Sequence, residues 1–348
     1  MPDCLSQWSR KSSRRSRGSY KPMATSTAVG TRAFPGGRVR SFVRRLRAGD
    51  ACAYLVTASA AGTIFLITSL IVYELFVQSG PSRHTFGWDF LLTQTWDPVA
   101  GQFGALPFIY GTVVTSALAL LIAVPQGLGS AIFLAELAPA RLSDALTFVI
   151  ELLAAVPSVI YGLLGIFVLV PLLQDYVVPP LKSVLGFLPL FQGTFYGVSY
   201  FSAGIVLSVM IVPFIVSVSR EVLLAVPRDQ REASLALGAT RWQTTSRVVV
   251  PYALKGITGS IFLALARALG ETMAVTMVIG NTPQIKASLL APGYSIAAVI
   301  ANEFTEAVGD LYLSALIELG LVLFAVTFVL NGLARLLILA TTSRGAHA

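Results

Sequence analysis

Long apolar runs separated by short polar segments occupy most of the chain. The runs lie at about residues 53–77, 108–135, 145–173, 201–226, 248–281 and 312–340. Each run is long enough to cross the roughly 30 Å hydrocarbon layer of a membrane as an α-helix. The pattern predicts an all-α polytopic membrane protein with six transmembrane helices, whose transmembrane domain covers residues 51–340.

Composition supports this class and locates the positive charge of the chain. Hydrophobic residues make up 55% of the chain and charged residues only 12%, against about 25% charged in soluble domains. Residues 1–50 contain 12 of the 25 lysines and arginines but only two acids, which leaves 13 bases against 15 acids, or −2, for the rest. The net charge of +8 therefore belongs to an N-terminal tail. A basic tail before a first span is typical of a cytosolic flank rather than of nucleic-acid binding.

The tail itself is predicted to be disordered. Residues 1–50 are rich in Arg, Ser and Gly and hold too little apolar surface to form a core. No apolar run with a cleavage site follows the basic residues promptly, so no removable signal peptide is predicted. Met23 is a candidate alternative start.

The loop charges predict an orientation in the membrane. One group of basic residues lies on the same side of the predicted spans. It consists of those in the tail and of Arg141, Arg220, Arg228, Arg231, Arg241, Arg247, Arg335 and Arg344. The opposite loops hold only Arg83, Lys182 and Lys286. By the positive-inside rule, both termini are expected to be cytoplasmic, including a short tail at 341–348.

Two charged residues interrupt the fifth apolar run. Arg267 and Glu271 are the only charged residues between Gly256 and Gly280. A helical spacing of four places both side chains on one face, and Arg267 lies roughly 16 Å from Gly256 at about 1.5 Å per residue. Charges at this depth cost at least about 2.5–3.5 kcal/mol each and mark substrate or ion pathways. We therefore expect Arg267 and Glu271 to line a translocation path or its gate; a purely structural salt bridge is the alternative interpretation.

Several kinds of chemistry find no support in the sequence. The two cysteines, Cys4 and Cys52, form no metal-binding spacing, and the two histidines, His84 and His347, lie in a loop and at the C-terminus. No GxxxxGK loop followed by Ser or Thr occurs, so no ATPase site is predicted. We expect this chain to contain no catalytic residue, no metal site and no bound cofactor.

A basic loop between the fourth and fifth spans, residues 227–247, has the pattern of an amphipathic helix-turn-helix. Pro227 is a good helix start, and Gly238 is placed to end that helix and turn the chain. The small residues Ala233 and Ser234 leave a face that a partner can approach closely. A surface helix without a partner is the alternative interpretation.

The order of residues in this loop resembles the EAA loop of ABC-importer permeases. That loop reads EAA, three residues, G, nine residues, I, one residue, LP. Here Glu232, Ala233 and Ser234 are followed at those spacings by Gly238 and by Val248 to Pro251, with Ser and Val as mild departures. The resemblance implies that Glu232, Ala233, Ser234 and Gly238 belong to coupling helices that dock on a separate ATPase subunit. We call residues 227–247 the EAA-like loop.

A second segment resembles the PstC-type permease family of phosphate-specific ABC importers. It reads RALGETMAV from Arg267 to Val275 and continues to Gly280 and Asn281. The sequence VPSVIYG at 156–162 is similar to a third-span segment of that family. The resemblance covers about residues 53–340 and implies the type I ABC-importer permease fold, with phosphate as the substrate.

The resemblance also implies roles and partners. Arg267 is expected to favour phosphate, because a guanidinium presents two parallel donors to an oxyanion, and Glu271 is expected to hold Arg267 in place. The expected partners are a second, related permease, two copies of an ATP-binding subunit that holds ATP and Mg²⁺, and an external phosphate-binding protein. The chain is expected to be a transport subunit of the inner or plasma membrane, with no nucleic-acid partner.

Other residues are weaker candidates for the path. Glu151 is expected to pair with a base such as Arg141 or to face the cavity. Ser158 and Thr272 are expected to line the path or to bond local backbone carbonyls. Glu318 is expected to face water or a neighbouring subunit.

Two other transporter classes stay open at this point. A permease for sulfate, molybdate or another oxyanion is the closest alternative within ABC importers. A secondary transporter driven by an ion gradient also carries buried Arg and Glu, although it needs no loop for an ATPase. A membrane enzyme is disfavoured because the spans hold no nucleophile with a base and no metal cluster.

Overall fold

A computed structural model of the chain describes the backbone of residues 50–345 and the side chains of residues 53–336. The chain divides into two compact units, Met1–Leu66 and Ile67–Ala348. In the first unit, the described residues form the N-terminal part of one helix. The predicted tail at 1–50, with Met23, lies outside the described residues except for Asp50.

The regular elements of the described residues are helices. They are α1 (Asp50–Gln78), α2 (Gly80–Phe86), α3 (Asp89–Leu92), α4 (Leu106–Ile132), α5 (Ala140–Ala155), α6 (Ser158–Leu164), α7 (Val170–Leu172), α8 (Val178–Leu185), α9 (Tyr200–Leu224), α10 (Arg228–Ala236), α11 (Arg241–Thr244), α12 (Val250–Leu269), α13 (Met273–Ile279), α14 (Ile296–Glu303) and α15 (Asp310–Gly345). Four π-helical turns, Phe133–Leu137, Gly165–Leu169, Leu173–Val177 and Thr245–Val249, continue or join these helices, and Pro189–Phe191 forms a 3-10 turn.

Six stretches of the described helices are long and apolar enough to cross a membrane. They are Ala53–Gln78, Leu106–Leu137, Ser158–Leu185, Tyr200–Leu224, Arg241–Leu269 and Asp310–Leu336. The prediction of an all-α membrane protein with six spans is confirmed. Helix α15 continues to Gly345, so only residues 346–348 of the predicted C-terminal tail lie outside the described part.

The third span differs from the predicted run at 145–173. Helix α5 ends before Val156, which is extended (φ −66°, ψ 130°), and the chain becomes helical again after Pro157. The residue before a proline is sterically pushed out of the helical region, so Val156 ends α5. The third span consequently covers Ser158–Leu185, and α5 is a separate helix between the second and third spans.

The fifth span is divided, although one span was predicted over 248–281. It starts at Arg241 and its long helix α12 ends at Leu269. Residues 270–272 are not helical, and α13 follows them. The helix ends before Gly270, because glycine loses more conformational freedom in a helix than any other residue.

Helix α9 lies at the centre of the second unit and packs against α4, α12 and α13. Its side chain Ile211 is fully buried in the main apolar cluster. Glycines let the helices approach closely, since Gly204 lies against Leu118 and Gly127 lies against Ile215. Small residues at helix contacts are usual in membranes, where close packing replaces the hydrophobic effect as the source of association.

Glu318 is buried, contrary to the expectation that it faces water or a neighbouring subunit. Its residue is only 5% exposed. It lies on α15, which packs against α2, and its Oε2 has no hydrogen-bond partner among the described residues. Helix α2 shields the carboxyl group from water, which no local feature of the sequence indicated.

The segment between α13 and α14 folds over the N-terminal ends of α4 and α9. The hydroxyl of Tyr110 donates to the carbonyl of Lys286 (3.1 Å), and the hydroxyl of Tyr200 donates to the carbonyl of Gln284 (3.0 Å). Tyr294, at the end of the segment, is 4% exposed, and burial raises the pKa of its hydroxyl to about 12. The segment is therefore a folded part of the second unit and not a free loop.

A methyl group at Gly111 is expected to destabilise this packing. The Cβ of Gly111→Ala would lie 2.0 Å from the carbonyl oxygen of Tyr294, and overpacking of this kind costs about 1–3 kcal/mol. We expect a lower midpoint of thermal unfolding in detergent, followed by intrinsic fluorescence. Gly129→Ala is the control, because Gly129 lies in the same helix with nothing within 4 Å of its added Cβ. Equal midpoints for the two variants would contradict the close approach at Gly111.

Candidate functional site

Arg267 and Glu271 lie on either side of the break between α12 and α13. Arg267 is in the last turn of α12. Glu271 lies in the non-helical segment, where its Oε1 accepts a hydrogen bond from the backbone N–H of Ala274 at 3.2 Å. The expectation that helical spacing places both side chains on one helical face is wrong, because the helix ends at Leu269. Glu271 instead satisfies an N–H group at the start of α13.

The guanidinium of Arg267 has no partner within the described part of the chain. The residue is exposed, and its side chain makes neither a hydrogen bond nor an ion pair there. The expectation that Glu271 holds Arg267 is therefore wrong for this chain, since Glu271 bonds Ala274 instead. The hydroxyl of Tyr161 donates to the carbonyl of Leu153 at 2.7 Å. The donors of Arg267 are left available to a ligand or a partner.

The two segments that carried the family resemblance come together in the fold. Helix α6, from the VPSVIYG segment, packs against α13, from the segment that begins at Arg267. Gly162 makes the contact close: a Cβ there would lie 2.5 Å from Sδ of Met277 and 3.2 Å from Cα of Ala274. Residues more than a hundred positions apart in the sequence thus build one region.

The weaker candidates occupy different environments. Ser158 is half-buried at the start of α6, and Thr272 is half-buried with its hydroxyl donating to the carbonyl of Gly270 at 3.3 Å. Glu151 is exposed on α5. The expected pair with Arg141 is wrong, because ten residues along the same helix separate the two by about 15 Å. A position of Glu151 facing a cavity stays a prediction.

The surroundings of the break follow from its place in an apolar span. Lipid offers no hydrogen-bond partners, so non-helical backbone at membrane depth is tolerated only where it is buried in protein or lines a water-filled cavity. An exposed guanidinium group at membrane depth likewise needs a protein surface or water beside it. We therefore expect the exposed side of residues 267–272 to meet another protein surface or water. A free guanidinium in that position can bind an anion through two parallel N–H donors.

The EAA-like loop forms the predicted helix-turn-helix from α10 and α11. Helix α10 begins directly after Pro227, as predicted. At its end Gly238 has φ +85°, and hydrogen bonds run from its N–H to the carbonyl of Leu235 (2.9 Å) and from Ala239 N–H to the carbonyl of Ser234 (3.3 Å). This pair of bonds is a Schellman motif, in which glycine adopts the left-handed conformation without strain.

The EAA-like loop presents both polar and apolar side chains to its surroundings. Its exposed residues include Glu232, Ala233, Leu237 and Trp242, of which Leu237 is 90% and Trp242 59% exposed. Ser234 is half-buried, and its hydroxyl shares a hydrogen bond of 3.0 Å with the hydroxyl of Thr244, which ties α10 to α11. Leu237 and Trp242 are therefore available for contact with a partner.

The structure also shows an arginine that sequence reasoning did not single out as a site. Arg231, one residue before Glu232, forms an ion pair of 2.8 Å with Glu136, the only ion pair among the described residues. Arg231 also donates to the carbonyls of Leu223 (2.7 Å) and Val226 (2.5 Å). Glu136 lies 95 residues earlier, in the π-helical turn after α4. No local pattern could have indicated this pair.

Comparison with known proteins gives the class. Residues 127–341 match the family described as "Binding-protein-dependent transport system inner membrane component". A solved structure of a bacterial ABC transporter involved in the import of the acidic polysaccharide alginate matches with a TM-score of 0.52 and 19% identity, over 85% of this chain and 98% of that chain. At this identity the likeness shows the fold alone. The chain is a membrane component of this transport class.

Curated relatives narrow the class further. The phosphate transport system permease protein PstC of Mesorhizobium japonicum is 47% identical over 87% of this chain and 94% of the relative. The protein of the same name from Haemophilus influenzae is 49% identical over 81% of this chain and 90% of the relative. The chain belongs to the PstC-type permease family.

The exposure of Arg267 at membrane depth predicts that water reaches it. In the assembled transporter, Arg267→Cys in a background with Cys4→Ser and Cys52→Ser is expected to react with a charged, water-soluble thiol reagent, because this break must face a polar surrounding. Phe167→Cys is the control, because Phe167 is an apolar side chain of the third span that is 73% exposed. Reaction is expected to be slow there. Equally slow labelling at both positions would contradict a polar environment at Arg267.

Proposed function

We propose that this chain is the PstC-type permease subunit of an ATP-driven importer of inorganic phosphate. The observation that carries the proposal is its 46–49% identity, over most of both chains, to proteins named phosphate transport system permease protein PstC. The described residues contain what such a subunit needs: apolar spans, a charged break in one of them and an exposed loop for a partner.

In this function Arg267 supplies the positive charge that favours phosphate in the path. Inorganic phosphate carries about one to two negative charges near neutral pH. The guanidinium of Arg267 has no partner within the described residues, so its parallel donors are free for two oxygens of a tetrahedral oxyanion. Glu271 lies nearby in the sequence without neutralising Arg267. Its negative charge weakens phosphate binding and so allows release.

A second permease completes the path in this proposal. The exposed Arg267 and the non-helical backbone beside it cannot face lipid, because hydrocarbon satisfies neither. A related permease that covers this side of the chain would enclose a polar cavity between the two subunits. Phosphate then crosses the membrane along that interface.

In this proposal, the EAA-like loop lies on the cytoplasmic side. Basic residues concentrate at its end of the spans, and the positive-inside rule assigns such ends to the cytoplasm. With six spans, both termini are then cytoplasmic in the inner or plasma membrane.

ATP and Mg²⁺ bind to a partner subunit and not to this chain. The exposed surface around Glu232, Leu237 and Trp242 docks on an ATP-binding subunit, which is present in two copies, one for each permease. An external phosphate-binding protein delivers phosphate at the opposite end. Closure of the ATPase dimer moves the loop and shifts the permease pair from an outward-facing to an inward-facing population.

Arg267→Gln is expected to lower phosphate uptake by about 10- to 100-fold, since a hydrogen bond to a charged group contributes about 1.5–3 kcal/mol. Arg267→Lys keeps the charge without the paired donors, so its uptake is expected to fall between those of the wild type and Arg267→Gln. Labelled phosphate is measured in cells that lack other phosphate transporters, with membrane insertion checked by immunoblot.

Labelled sulfate is measured in the same cells to test the competing oxyanion. Wild-type phosphate uptake by Arg267→Gln would overturn the role of Arg267. Uptake of sulfate in place of phosphate by the wild type would overturn the substrate.

Gly238→Val is expected to release the ATP-binding subunit from the permease. A non-glycine residue at φ +85° costs about 1–2 kcal/mol, and more when it is β-branched. Nothing lies within 4 Å of a Cβ at Gly238, so the strain is confined to the backbone turn between α10 and α11. Gly238→Asn is the control, because asparagine tolerates the left-handed conformation. Co-purification of the ATP-binding subunit with a tagged permease should be lost with Val and kept with Asn; its retention in both variants would contradict the docking surface.

A further inference from the structure

One polar junction connects the EAA-like loop to the C-terminal end of α4. Arg231 of α10 pairs with Glu136 at 2.8 Å, and Glu136 belongs to the π-helical turn Phe133–Leu137 that continues α4. The same guanidinium donates to the carbonyls of Leu223 and Val226 at the end of α9. Arg231 thus joins three elements with one side chain.

A second arginine holds the same π-helical turn from α9. Arg220 donates to the hydroxyl of Ser143 on α5 (3.2 Å), and that hydroxyl donates to the carbonyl of Leu134 (2.8 Å). Leu134 lies in the turn Phe133–Leu137, two residues from Glu136. The turn is therefore held once through a side-chain carboxylate and once through a main-chain carbonyl.

The Arg231–Glu136 ion pair is suited to transmit a displacement between the helices that it joins. The side chains are only 19% and 11% exposed, so water screens their attraction less than it screens a surface pair. Arginine also suits this place because its planar fork bonds several acceptors in fixed directions. The other side-chain hydrogen bond shown for α10 joins Ser234 to Thr244 of α11, at the start of the fifth span. Among the side-chain bonds shown for α10, those of Arg231 are the ones that reach the end of α4 directly.

Helix α4 can carry such a displacement through the second unit. Its stretch Leu106–Leu137 is long enough to cross the membrane. At its N-terminal end, Tyr110 bonds the carbonyl of Lys286, in the segment that follows α13. The π-helical turn Phe133–Leu137 ends this helical stretch, since Ala138 after it is extended, and single π-helical turns are frequent at functional sites. Arg231 therefore holds the stretch at the turn that ends it.

We propose that the Arg231–Glu136 pair is the link that transmits motion of α10 to transmembrane helix α4. Both are positioning residues, because they act on the path through α4 and touch neither phosphate nor ATP. The proposal rests on the proposed function, since it requires an ATP-binding partner that moves α10. It adds a specific route by which that motion reaches the spans.

The experiment measures phosphate transported per ATP hydrolysed. The complete complex is reconstituted in proteoliposomes with the phosphate-binding protein, and the variants are Glu136→Gln, Arg231→Gln and the double variant. Glu136→Gln keeps the shape and an acceptor oxygen, so it removes the charge with little disturbance of the fold. Each single variant is expected to lower the ratio by about tenfold while ATP hydrolysis continues, within the range usual for coupling between sites. The double variant is expected to be no worse than Arg231→Gln, because all three variants lose the same ion pair and Arg231→Gln already lacks the bonds to the carbonyls of Leu223 and Val226.

Arg141→Gln is the matched control, because Arg141 is an exposed arginine of α5 whose side chain makes no ion pair in the described part of the chain. Its ratio should equal that of the wild type. An unchanged ratio in the single variants, additive losses in the double variant, or loss of the ATP-binding subunit on purification would each overturn the link. Absence of phosphate transport by the wild-type complex would instead overturn the proposed function, so the two failures are distinguishable.

Discussion

Hydrocarbon cannot hydrogen-bond to a charged side chain or to non-helical backbone, and this constraint decides what the break between α12 and α13 means. A single chain in isolation leaves Arg267 exposed and without a partner among the described residues. In a membrane such a surface is stable only against protein or water. The constraint means that a local helix end needs a covering protein surface or water beside it, and both are compatible with the proposed anion path.

The fold connects this region to the opposite end of the spans through packed helices. Helix α13 is set against α6 by the close contact at Gly162, and α9 packs on both α4 and α13. Helix α4 then leads to the π-helical turn that Arg231 and Arg220 hold. Because packed helices deform little, we expect a displacement of the EAA-like loop to move α4 and α9 as well. In the proposed function, this route connects the partner's docking surface to the charged break without any contact between nucleotide and phosphate.

Features that depend on neighbouring residues were predictable from the sequence. The six spans follow from long apolar runs, and the start and end of α10 follow from Pro227 and Gly238, whose backbone preferences act locally. Features that depend on competition between local signals were not predictable from the sequence. Apolar residues continue through Val156 and Gly270. A prediction from hydropathy alone therefore extended the third and fifth spans across the positions where helices end.

Contacts between distant segments also could not be predicted from the sequence. The Arg231–Glu136 pair joins residues 95 positions apart, and the burial of Glu318 depends on α2 folding against α15. The separation of Arg267 and Glu271 shows the same limit. A spacing of four indicates one helical face only while the helix persists, and here it ends between the two residues.

The most direct measurement is a structure of the complete transporter with phosphate held in the membrane, determined by electron cryo-microscopy. The predicted result is phosphate at about 2.7–2.9 Å from the guanidinium nitrogens of Arg267, the usual length of a charge-assisted bond, on the side that faces the second permease. Arg267 in contact with lipid acyl chains, or paired with a carboxylate while phosphate lies elsewhere, would contradict its place in the path.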